Sequence, residues 1–167
     1  KQQYHGLLME KIKSRIKGLQ DGRIKPAEMT VKGSLQALED IVQAGINCFL
    51  ASGTDEKYVF DEADLLGITG YFEGIYGALD DYQNFSKRMV IQKIIQKNHL
   101  HGPELISFGD GFVEIEDTKG VGGIAIGLAT NESVRNGIDQ WKRNRLIASG
   151  ADIIMPDFIE FRSLWQY

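Results

Sequence analysis

Three runs dominated by apolar residues stand out along the chain: 46–51 (INCFLA), 105–108 (LISF) and 124–129 (IAIGLA). Continuous runs of this kind are what strands of a parallel sheet look like when helices cover both faces. A fourth run, 153–155 (IIM), follows the Gly150-Ala151-Asp152 turn, and a short Ile75-Tyr76 stretch sits between Gly74 and Gly77. Between them the spacing becomes helical. Leu35, Leu38, Ile41 and Val42 share one face, and Gly45 supplies a stop just before the first strand. Val59, Ala63 and Leu66 repeat the pattern up to Gly67. Val90, Ile91, Ile94 and Ile95 define a third helix opened by Ser86; Val134, Ile138, Trp141 and Ile147 define a fourth. Strands and helices alternating at this rhythm predict an α/β chain with a doubly wound, Rossmann-like parallel sheet.

The first 30 residues fit that rhythm poorly. Leu8, Ile12, Ile16 and Leu19 suit one lysine-rich amphipathic helix closed by the Asp21-Gly22 turn. The expected organisation is a helical cap or linker segment over 1–30 and an α/β core over 31–167. Tyr4 and His5 lie near that cap segment.

Composition narrows the class. The 167 residues are 43% hydrophobic and 25% charged, ordinary for a globular protein. A net charge of −4 argues against a nucleic-acid groove, which needs clustered Lys and Arg. No apolar run approaches the roughly 20 residues of a membrane-spanning helix. The single cysteine, Cys48, lies in an apolar run and reads as a buried thiol. Together these predict a reducing, cytoplasmic setting. The chain starts at Lys1 rather than methionine, so a fragment or processed product is expected.

Several stretches carry candidate chemistry. Asp61-Glu62-Ala63-Asp64 resembles the acidic element of RNA helicases, but it falls inside the Val59–Ala63–Leu66 helix and no phosphate-cradling glycine-lysine loop exists. Those acids read as a solvated helix face. Ser52 follows a strand and precedes a helix that starts near Thr54 or Asp55, where a hydroxyl, free N–H groups and the helix terminus meet. The plain alternative is an N-cap. Lys87 opens the helix after Ser86, where a cation opposes the helix dipole unless an anion sits beside it. Gly109-Asp110 stands at the carboxyl end of a buried strand, where open α/β sheets bind ligands, and Glu114 can reach back toward it. Hard carboxylate oxygens with few neighbours suit Mg²⁺. His99 and His101 flank an exposed turn, Lys142, Arg143 and Arg145 read as a wet helix face, and Trp141 and Trp165 read as packing groups.

In order, Ser52 after a strand, Lys87 opening a helix and Gly109-Asp110-x-x-x-Glu114 after a strand resemble the haloacid dehalogenase superfamily over about residues 30 to 160. "GYFEGIYG" and "GADIIMPDF" belong to the same likeness. The resemblance implies a haloacid dehalogenase-like core and a phosphoric monoester hydrolase acting on a small phosphorylated metabolite through an aspartyl-phosphate. It implies Ser52, Gly53 and Lys87 as phosphate-binding residues, Lys87 and Asp110 as catalytic, and Asp110 with Glu114 as ligands of a Mg²⁺ cofactor. The family's first motif, a strand ending in Asp-x-Asp, is absent; Asp21 has no buried strand before it. In the family that strand lies between the counterparts of the 46–51 and 105–108 strands. An upstream segment, from the same protein or another chain, is therefore expected to complete the sheet and supply the nucleophile. The alternatives are a non-catalytic phosphate- or metal-binding module used in regulation or assembly, and a phosphomutase of the same superfamily.

Overall fold

The computed structural model describes residues 13–78 and 86–164. Tyr4, His5, Leu8, Ile12 and Trp165 lie outside the described residues. The described part begins in helix α1 (residues 13–20), which ends at the Asp21-Gly22 turn. A single-turn helix α2 (Pro26–Met29) follows, then α3 (Ser34–Gln43), strand β1 (Cys48–Asp55) and helix α4 (Glu56–Leu65). Next come β2 (Phe72–Ala78), α5 (Lys87–Asn98), β3 (Ile106–Gly109) and α6 (Phe112–Gly120). The described chain closes with β4 (Ile124–Leu128), α7 (Gln140–Ala148), β5 (Ile153–Met155) and α8 (Phe161–Leu164). None of the described helices is long and apolar enough to cross a membrane.

Gly45 ends α3 as the sequence requires. At φ +74 it takes the left-handed turn that side-chain-bearing residues avoid. Its N–H reaches Val42 O, and Ile46 N–H reaches Ile41 O, so two otherwise orphaned carbonyls are satisfied. Gly67 does the same for α4, through Asp64 and Ala63. Each stop turns the chain into the next strand.

All paired strands within the sheets are parallel, in two groups: β1 with β2, and β3, β4, β5 in that order. In register, Leu50 faces Ile75 and Phe108 faces Ile126. β4 shows why the 124–129 run lacks alternation. Ile126 and Leu128 pack with Ala37 of α3, Met155 and Phe161, whereas Ala125 and Ala129 pack with Ile115 of α6 and Leu146 of α7 on the other face. Both faces are covered. Phe108, Phe158 and Phe161 close the first core with ring centroids 5.3 to 6.1 Å apart, a range suited to tilted aromatic pairs. α3 also touches β1, and α5 packs on β1 and α6, so helices bridge the two sheets.

Several expectations change. The Ile75-Tyr76 stretch is the middle of a seven-residue strand. Val42 of the α3 stripe is exposed, and Ala37 takes the buried position. Val134 and Ile138 precede α7 rather than forming its face, because Arg135 and Gly137 adopt positive φ and Asp139 caps the helix. Trp141 is 67% exposed with Arg145 over its ring, so it is not a core group. Leu146 is the residue that points inward, at 1% exposure. Cys48 is half-buried, and burial raises its thiol pKa.

Leu146 joins α7 to the β4 face, so Leu146→Ala should destabilise the fold by about 2–5 kcal/mol in urea unfolding. A loss below about 1 kcal/mol would show that this cluster does not carry the core.

Candidate active site

The carboxyl ends of β1 and β3 and the N-termini of α5 and α6 meet at one end of the molecule. β1 runs further than its apolar part, through Ser52, Gly53 and Thr54 to Asp55. The pairing with β2 becomes irregular after Ala51. The Ser52 hydroxyl turns back to accept the Thr54 N–H at 3.2 Å. Gly53 is exposed, and a Cβ built there meets nothing within 4 Å, so its backbone is approachable. α4 takes Asp55, not Ser52 or Thr54, as its N-cap residue. On β2, Gly77 is required by crowding: a Cβ there would lie 2.3 Å from the Glu56 Cα.

Helix α5 opens as expected. Ser86 Oγ accepts the Met89 N–H at 3.2 Å, which places Lys87 at the first helical position. Its ammonium forms an ion pair with Glu114 Oε1, with about a fifth of each side chain exposed. Burial lowers the Lys87 pKa below the ordinary lysine value, against the opposing fields of Asp110 and Asp117.

Glu114 reaches this position because the preceding turn has no side chains in its way. A Cβ on Gly111 would come within 2.2 Å of Glu114 Oε2, and one on Gly109 within 2.8 Å of Glu114 Cβ. The helix bearing Glu114 is pinned to β3 by a buried polar bridge. Thr118 Oγ1 donates to Glu114 O at 2.8 Å and lies 2.6 Å from Ser107 Oγ. Thr118 is fully buried.

Gly53, Ser86, Lys87, Val113, Glu114 and Asp117 line a common cleft of 430 Å³. Of the sequence-derived candidates, Gly53, Lys87 and Glu114 are thus gathered together. Ser52 stands one residue behind the lining. Asp110 projects from the β3–α6 turn with a 68% exposed side chain, its Oδ2 3.7 Å from Lys142 Nζ. Asp110 is therefore an open, hard oxygen donor with room for water-coordinated Mg²⁺. Of Glu114, the expected second ligand, one carboxylate oxygen is engaged by Lys87 and the other lies against Gly111. Among the described residues no group of three or more His, Cys, Asp or Glu converges as a metal cage. The donors present fit Mg²⁺ held by one carboxylate, and not a closed protein cage.

The sequence matches the model for the haloacid dehalogenase-like hydrolases over residues 2–128. The chain belongs to that family. No curated protein matches it. Among solved structures, it is similar to a predicted phosphoglycolate phosphatase from Haemophilus somnus, at 18% identity and TM-score 0.65, over 81% of this chain and 56% of that one. It is also similar to β-phosphoglucomutase from Clostridium difficile, at 13% identity and TM-score 0.62, over 90% and 60%. A third is L-2-haloacid dehalogenase from Xanthobacter autotrophicus, at 13% identity and TM-score 0.59, over 81% and 60%. At these identities the likeness speaks for the fold alone. The chain spans less than two thirds of the length of each of these structures.

This haloacid dehalogenase-like fold brings two further residues to the site that the pattern analysis passed over. Asp117 lies one turn beyond Glu114 on α6 and shares its face, a three-residue spacing that could have flagged it. Lys142 turns inward to Asp110 and Glu132, with only 20% of its side chain exposed, instead of joining the wet face of α7. His99 and His101 remain exposed, as expected.

The Thr118 bridge sets the height of Glu114 against β3. Thr118→Val leaves the Ser107 hydroxyl without this partner and should cost about 1–3 kcal/mol in chemical denaturation. A variant within about 0.5 kcal/mol of the wild type would mean that the bridge does not hold α6 in place.

Proposed function

We propose that the protein is a Mg²⁺-dependent phosphoric monoester hydrolase acting on a small phosphorylated metabolite, with its nucleophile on a segment outside this chain. The observation that carries this reading is a half-buried cation, Lys87, sharing a cleft with the open backbone of Gly53 and feeling the charge of Asp110, whose exposed carboxylate lies outside the cleft lining. A transferring phosphoryl group spreads negative charge over its equatorial oxygens, and catalysis of it is mostly positioning and electrostatics. Lys87, about a fifth of its side chain exposed, would neutralise that charge as a positioned cation. The Gly53 N–H and the Ser52 hydroxyl complete the oxyanion contacts, and Glu114 holds Lys87 in place until substrate arrives. Asp110 would hold the Mg²⁺, which screens the charge between nucleophile and substrate.

The nucleophile is assigned to an upstream aspartate that attacks phosphorus as the ester P–O bond breaks and the alcohol leaves with a proton, giving an aspartyl-phosphate that water then hydrolyses to aspartate and inorganic phosphate. Two observations support an added strand. Among the described residues no strand ends in Asp-x-Asp. Among the described residues strand β1 pairs with β2 alone and β3 with β4 alone, although helices bridge the two sheets. One parallel strand between β1 and β3 would satisfy both open edges, which are otherwise costly. It would also deliver its carboxyl end to the cleft.

With the completing segment present, the protein should hydrolyse p-nitrophenyl phosphate in Mg²⁺. Lys87→Met and Asp110→Asn should each lower kcat/KM by about 10²-fold or more. The 167-residue chain alone should show no turnover. Activity from that chain, or variants as active as the wild type, would contradict the assignment; tight phosphate binding without turnover by the completed protein would mark a regulatory module instead.

A further inference from the structure

Lys142 occupies the third position of α7, in the turn where the helix dipole is positive and cations are disfavoured. Three acids offset that placement. Asp139 Oδ1 accepts the Lys142 N–H at 3.0 Å, Glu132 pairs with the ammonium, and Asp110 Oδ2 lies 3.7 Å from it. The loop that carries Glu132 is itself anchored. Arg135 donates to the carbonyl oxygens of Ala27, Glu28 and Thr30, fastening the β4–α7 connection to α2. Lys142 is thus a held cation, leaning on Glu132 and within reach of Asp110.

We propose that Lys142 is a built-in competitor for the divalent cation at Asp110 and that Glu132 holds it back, so that the pair sets how tightly the site takes metal. This inference rests on the reading of Asp110 as the metal-holding carboxylate. Like charges on one carboxylate repel, so an ammonium beside Asp110 lowers its affinity for a second cation. Glu132 draws the ammonium away and leaves the other face of Asp110 open. Removing Lys142 frees both acids for the metal. Removing the charge of Glu132 lets Lys142 close on Asp110.

The two substitutions therefore act in opposite directions, which a purely structural role would not produce. In calorimetric Mg²⁺ titrations at low salt, Lys142→Met should bind about fivefold tighter than the wild type, and Glu132→Gln about fivefold weaker. Lys142→Arg should stay near wild type, and both shifts should shrink in high salt. Circular dichroism of each variant confirms that it is folded. Mg²⁺ binding that Asp110→Asn removes, while Lys142→Met leaves it unchanged or weaker, overturns the proposal alone. Absence of Mg²⁺ binding in every protein overturns the reading of Asp110, and the proposal with it.

Discussion

The ion pair between Lys87 and Glu114 is the interaction on which the site depends. It joins the first turns of two helices, α5 and α6, that follow different strands. A cation at the start of a helix is unfavourable alone, and burial makes it worse. The Glu114 carboxylate opposes both effects, although burial still leaves the Lys87 pKa lowered. It can do so only because Gly109 and Gly111 leave the space beneath the turn empty and Thr118 fixes the helix to β3. Two glycines, one buried hydroxyl and one cap at Ser86 therefore converge on the placement of a single ammonium.

The same economy of charge explains the rim. Asp110 is largely exposed and faces Lys142, whereas Glu114 is engaged by Lys87. Lys142 and Glu132 add a second, outer ion pair against Asp110. Gly53 and Lys87 line the cleft and Asp110 lies outside its lining; in the proposed reading the first two form an oxyanion side and Asp110 a cation side. Phosphoryl transfer needs that division, because the leaving group and the attacking group both carry charge past the same point. Among the described residues β1 and β2 form one parallel sheet and β3, β4 and β5 another, and helices bridge the two.

Much of this was legible in the sequence where packing leaves a periodic trace. The runs at 46–51, 105–108, 124–129 and 153–155 overlap β1, β3, β4 and β5, and β4 alternates its contacts between two cores, although Ile46, Ile106, Ile124 and Ile153 are exposed. The α5 stripe and its Ser86 cap were equally plain. Periodicity failed where an apolar side chain is stabilised at the surface. Trp141 lies under Arg145, so its hydrophobicity does not mark the inward face of α7. It also failed at Lys142, whose partner Glu132 lies ten residues back in a loop without repeat. Lys142, like Lys87, is a cation in a first helical turn. The inward turn of the Ser52 hydroxyl toward Thr54 leaves no trace in composition or spacing.

A crystal structure of the protein grown with Mg²⁺ and tungstate, a heavy-atom mimic of phosphate, tests the oxyanion-and-cation cleft most directly. The tungstate should appear in anomalous density with its oxygens about 3 Å from Lys87 Nζ and the Gly53 N–H, the distance of a hydrogen bond. Tungstate bound elsewhere, with Lys87 still closed on Glu114, would contradict the account.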